Sequence, residues 1–163
     1  MKFGMTRGLA ALIGVFLLAP AAAASEDYAA PYRDLKQANR MLDVALATST
    51  YTSDGALILD IPGRPLETFC GSEAIRAAYV RVFGQVDPGT PIDIEFRFAD
   101  AAPRPGRHDG AYRLHATVGG RDIVNYGRFT VTLVREDGVW RIAEDRGMPA
   151  TAADFDRLPA ADL

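Results

Sequence analysis

Asp122 to Ala150, DIVNYGRFTVTLVREDGVWRIAEDRGMPA, constrains the fold of this chain most. Two long alternating runs flank Asp137-Gly138, which defines a hairpin, its register and its buried face. With Asp137-Gly138 as a two-residue turn, Arg135 faces Trp140, Leu133 faces Ile142, Val131 faces Glu144 and Phe129 faces Arg146. A second turn at Gly119-Gly120 sets Val118 against Arg121, Ala116 against Ile123, Leu114 against Asn125 and Tyr112 against Gly127. Both turns send Phe129, Val131, Leu133, Trp140 and Ile142 to the same side. A slip of one residue would expose all five, so the two turns support each other. Toward the far end the inner face turns polar, at Asn125, Glu144 and Arg146.

The elements before this hairpin supply what it packs against. Tyr32 to Ala47 places Leu35, Asn39, Leu42 and Ala45 at helical steps, and Gly71 to Gly84 carries Ile75, Ala78, Tyr79, Val82 and Phe83 on one stripe. Ser49 to Gly55 reads as a polar turn, followed by a short strand from Ala56 to Ile61 with which Leu66 to Phe69 can pair. Pro91 to Asp100 alternates strictly, with Ile92, Ile94, Phe96 and Phe98 inward. Ala101 to Gly110, with two prolines, two glycines and His108, reads as an exposed loop. This order predicts an α+β fold in which an antiparallel sheet bends around N-terminal helices and leaves a cavity at one end. The C-terminal TAADFDRLPAADL has Phe155 and Leu158 one turn apart and predicts a short helical turn docked on the surface.

Residues 1–24 have the layout of a secretory leader. Lys2 and Arg7 precede an apolar run, Pro20 breaks it, and Ala22-Ala23-Ala24 offers a small-x-small cleavage site. Export to the periplasm or beyond is the expectation, with residues 25–163 as one domain and no membrane association once the leader is removed. The leader holds two of the 18 basic residues and none of the 21 acidic ones, which leaves a mature charge of about −5. No basic cluster remains to meet phosphates, so nucleic acid is not an expected partner. With one cysteine and two histidines in all, neither a disulfide nor a zinc site is expected. Cys70 reads as a small buried hydrophobe.

Three stretches carry a resemblance to a known family: Gly71-Ser-Glu-Ala-Ile75 opening a helix, Gly110-Ala-Tyr-Arg-Leu114 on a strand, and Gly127-Arg-Phe-Thr-Val131 followed by Asp137-Gly-Val-Trp-Arg-Ile142. In their order the chain resembles the SnoaL-like branch of the nuclear transport factor 2 superfamily. The resemblance implies a cone-shaped α+β barrel, a small-molecule pocket at its open end, no cofactor, and dimerisation through the outer sheet face. Enzymes of that superfamily use an Asp or an Asp-His pair inside the cone. Strand parity places His115 outward, opposite Val124, and His108 falls in the expected loop, so no inward histidine is assigned.

The candidate site residues follow from the polar end of the hairpin. Glu144 is the candidate base, Arg146 would hold an anionic oxygen, and Asn125 would donate to a carbonyl. Tyr79 and Tyr112 are candidate ligand contacts, and Asp60, near the end of the first strand, is a second candidate carboxylate, with Tyr51 weaker. Tyr112 opposite Gly127 also has a purely structural use, since a ring can cover a strand glycine. The leading expectation is an exported protein that binds a small, partly apolar molecule. The alternatives are a cofactor-free isomerase, cyclase or hydrolase of the same fold, and an interaction module using the outer face around Arg113, His115, Tyr126, Arg128, Thr130 and Thr132.

Overall fold

A computed structural model describes residues 26–161 and 163, so the expected leader lies outside the described residues. The first helical pattern divides in two, α1 (Ala30–Met41) and α2 (Val44–Ser49). Leu42 takes a left-handed φ of 53°, and Asp43 restarts the helix by accepting a hydrogen bond from the Leu46 amide at 2.9 Å. Strand β1 (Tyr51–Leu59) then begins within the stretch expected to be a turn, which brings Tyr51 into the sheet. Strand β2 (Glu67–Cys70) pairs back on it, as expected, and α3 (Gly71–Phe83) follows directly. Ile75, Ala78 and Phe83 of its stripe are buried. Cys70 is exposed, not buried, because β2 is an edge strand.

The remaining elements are β3 (Asp93–Phe98), β4 (Gly106–Val118), β5 (Arg121–Glu136), β6 (Val139–Pro149) and α4 (Ala152–Asp156). The six strands lie in the order β2-β1-β6-β5-β4-β3, antiparallel except for the parallel pair β1–β6. The sheet curves strongly around the helices without closing on itself. Helix α1, with Tyr32, Leu35 and Ala38 all buried, fills the concave side.

Both turns fold at the expected positions. The β4–β5 register runs as read, from Val118 against Arg121 to Tyr112 against Gly127. The β5–β6 register also holds from Glu136 against Val139 to Leu133 against Ile142, and then shifts by one. Beyond the shift Thr132 faces Glu144, Val131 faces Asp145, Thr130 faces Arg146 and Phe129 faces Gly147. Ala143 is the extra residue of a β-bulge, and because strand faces alternate, it exchanges the two sides of everything after it. The expected pairings of Val131 with Glu144 and Phe129 with Arg146 are therefore replaced. Neighbouring β1 is irregular at the same level, between Tyr51 and Ala56. A Cβ at Gly55 would sit 3.1 Å from the Ile142 carbonyl oxygen.

Aromatic rings knit the concave face. Tyr32 meets Phe98 edge-on at 4.8 Å between centroids and Phe96 at 5.2 Å, while Phe129 packs on both phenylalanines. Trp140 is only partly buried and stacks edge-on against Tyr28. Two glycines make room for rings on the facing strand. An added Cβ at Gly127 would fall 2.2 Å from the Tyr112 ring, and one at Gly110 would fall 2.2 Å from the Phe129 ring.

On the convex face the C-terminal segment docks as expected. Thr151 and Asp154 form a reciprocal cap on α4, and Phe155 is buried against Tyr126 with the Arg97 guanidinium 4.1 Å from its ring centre. At the opposite end of the sheet both Asp87 carboxylate oxygens accept backbone hydrogen bonds at 2.7 Å, from Gly119 and Gly120. Both glycines have positive φ, which turns successive amides toward one anion.

Candidate functional site

Between α1, α3 and the concave sheet lies a cavity of about 170 Å³. Leu35, Leu57, Leu59, Ala78 and Val131 give it aliphatic walls, and Tyr32, Tyr79, Phe96, Tyr112 and Phe129 bring five aromatic rings. One carboxylate, Asp145, reaches it. No Arg, Lys or His side chain lines it among the described residues. Asp145 is inward because of the bulge at Ala143, which sets it beside Val131 on β5 and Leu57 on β1.

The Tyr51 hydroxyl donates to Asp145 Oδ2 at 3.0 Å and lies 3.2 Å from the Tyr79 hydroxyl. Three elements, β1, β6 and α3, thus contribute one hydrogen-bonded chain. Among the described residues Asp145 makes no other side-chain hydrogen bond, and it is part of the cavity lining. As a residue Asp145 is half-buried, and it lines the cavity. Removal from water pushes its carboxyl up to about 6, against the opposing effect of the Tyr51 hydrogen bond. The same desolvation, reinforced by the negative charge of Asp145, holds Tyr51 well above the ordinary phenol range and raises Tyr112. Desolvation likewise raises Tyr79. At neutral pH the site therefore presents hydroxyl donors around a carboxylate that can exchange a proton.

Of the residues singled out in the sequence, Tyr79 and Tyr112 line the cavity. Glu144 does not; it is exposed and shares the convex face with its partner Thr132. Arg146 lies on that face too and pairs with Asp60 at 3.0 Å, with both side chains close to half exposed. Asp60 is thus neutralised at the surface. Asn125 is exposed beside Leu114, past the end of the cavity lining. The bulge accounts for Glu144 and Arg146: it hands the inner face to Asp145 and Gly147.

Sequence reasoning also missed an inward histidine. His108 belongs to β4, not to a loop, and is buried with Nε2 2.6 Å from the Tyr32 hydroxyl. Burial holds its pKa below the usual imidazole value. The available signal was parity, since counting back from Tyr112 by twos through Gly110 reaches His108. It stands behind the Tyr32 ring and does not line the cavity. His115 is exposed opposite Val124, as read. No group of three or more His, Cys, Asp or Glu side chains among the described residues is placed to hold a metal ion.

No family model matches the sequence, and no curated protein matches it. Solved structures do resemble it. A nuclear transport factor 2-like superfamily protein from Salmonella enterica superposes with a TM-score of 0.60 at 14% identity, covering 79% of this chain and 93% of that one. A ketosteroid isomerase-like protein from Erwinia carotovora atroseptica gives 0.56 at 20% identity, covering 78% and 98%. Bal32a, from a soil-derived mobile gene cassette, gives 0.56 at 20% identity, covering 83% and 98%. At such identities the likeness concerns architecture. The curved mixed sheet, the helices on its concave side and these superpositions together establish that the chain has the cone-shaped α+β fold of the nuclear transport factor 2-like proteins.

Proposed function

We propose that this protein is exported and binds a small, partly apolar molecule inside the cone. The observation that carries the proposal is a cavity walled by aliphatic and aromatic side chains with a single carboxylate, Asp145, whose one side-chain hydrogen bond among the described residues comes from Tyr51. Such a site fits a ligand with an apolar body and one hydrogen-bonding group. The leader-like residues 1–24 support export. The convex face is in part occupied by α4, whose Phe155 packs on Tyr126 and Arg113, so self-association would use the part left open around His115 and Val124.

Mass spectrometry of small molecules released from the natively purified protein tests this reading. We expect one compound in near-stoichiometric amount, of a size for a cavity of about 170 Å³, and expect it to be lost when Ala78 is changed to Phe to fill the cavity. Recovery of the same compound from the filled variant would remove the cavity from the account.

Proton-transfer catalysis without a cofactor is the second reading, favoured by a carboxyl held near neutrality beside two hydroxyl donors. In it Asp145 takes up a proton from the substrate and returns it, while Tyr112 donates to the oxygen on which charge develops.

A further inference from the structure

We infer that the cavity selects an organic cation, a primary ammonium group carried on a single ring or short chain. The inference rests on the cavity being the ligand site and specifies what occupies it. Charge is the first argument. Asp145 is the only charged side chain among the described residues that line the cavity, and the nearby arginines are spent elsewhere, Arg146 on Asp60 and Arg141 on Glu136. Its one hydrogen bond, from Tyr51, leaves the negative charge uncompensated in an apolar enclosure. A neutral ligand would not cure that, and an anion would make it worse. An ammonium group against Oδ1 supplies the missing opposite charge as a charge-assisted hydrogen bond.

The walls are the second argument. Tyr32, Tyr79, Phe96, Tyr112 and Phe129 surround the space with aromatic rings, whose faces attract cations. Tyr112 lines the cavity, which makes its hydroxyl oxygen the acceptor for a second ammonium N–H. Volume is the third. An apolar cavity of about 150 Å³ accommodates benzene, so about 170 Å³ takes one ring and one or two further atoms.

The test is calorimetric titration of the mature protein with benzylamine, benzyl alcohol and benzoate, which share a ring and differ in charge. At pH 7.5 benzylamine is expected to bind about tenfold more tightly than benzyl alcohol, and benzoate not at all. In Asp145→Asn that preference should vanish. The groups facing Asp145 are Tyr51 of β1, Tyr79 of α3, Tyr112 of β4 and Tyr32 of α1, with His108 behind the last. All four phenols stay neutral below pH 9, so lowering the pH to 5 should weaken benzylamine about tenfold in the wild-type protein by protonating Asp145, and leave benzyl alcohol nearly unchanged. Benzyl alcohol binding as tightly as benzylamine at pH 7.5 overturns the cation and leaves the cavity standing as a ligand site. Failure of all three to bind overturns both.

Discussion

Replacing Asp145 with asparagine is expected to stabilise the protein at pH 7.5 while removing its preference for a charged ligand. The carboxyl is pushed up from an ordinary 3.8 to about 6 in the folded chain. Between those values the folded state holds a proton that the unfolded state has released, so stability falls as pH rises through this window and stays low above it. A shift of that size corresponds to about 3 kcal/mol. Since the residue is half-buried and partly screened, about 2 kcal/mol is the expected gain for the neutral isostere at pH 7.5. Asparagine retains an acceptor for the Tyr51 hydroxyl, so that hydrogen bond survives. Thermal denaturation should show Asp145→Asn melting about 5 °C higher at pH 7.5 and together with the wild-type protein near pH 3.5. A variant less stable at pH 7.5 would mean that the carboxylate is compensated by something other than a ligand. A binding site that costs stability in its empty state is the trade expected of function.

Gly110→Ala is expected to cause the largest loss of stability, about 3 kcal/mol or more. The new Cβ would stand 2.2 Å from Phe129 Cζ and 2.4 Å from the Arg97 carbonyl oxygen. A ring can rotate, but the Arg97 carbonyl belongs to β3, which pairs with β4 at this level through Phe98 against Gly110. Relief therefore requires the two strands to separate. Gly127→Ala is a useful comparison, because the three atoms nearest its added Cβ all belong to the Tyr112 side chain, which borders the cavity and can move into it. Equilibrium unfolding in urea should rank Gly110→Ala well below Gly127→Ala, with the latter losing about 1 to 2 kcal/mol. Equal values would show that the β3–β4 edge yields more readily than a paired strand should.

Much of the fold was legible because alternation and turn chemistry are local. Gly119-Gly120 and Asp137-Gly138 can close only short hairpins, and the alternating runs on either side allow one register each, so β4, β5 and the first half of β6 follow from the sequence. The bulge was not legible. Ala143 carries no signal of its own, and the shift it introduces depends on β1, a parallel partner nearly ninety positions away whose own irregularity lies at Thr52 to Gly55. That one residue decides which of two adjacent acids, Glu144 or Asp145, enters the cavity. His108 was hidden for a different reason: Pro103, Pro105 and Gly106 mark a loop, and the strand resumes immediately after them. Tyr51 was demoted by the same habit, because Ser49 to Gly55 looks polar while its backbone is extended from Tyr51 onward. Asp60 and Arg146 found each other across β1 and β6, a pairing that neither hairpin could reveal.

The central claim is that Asp145, rather than Glu144, is the carboxylate of the cone. Carbon-detected NMR titration of the side-chain carboxyls, with Asp145 assigned by its loss in Asp145→Asn, tests it most directly. The account predicts a midpoint for Asp145 of about 6, moving downward when benzylamine is bound. A midpoint near the ordinary 3.8, unchanged by the amine, would contradict it.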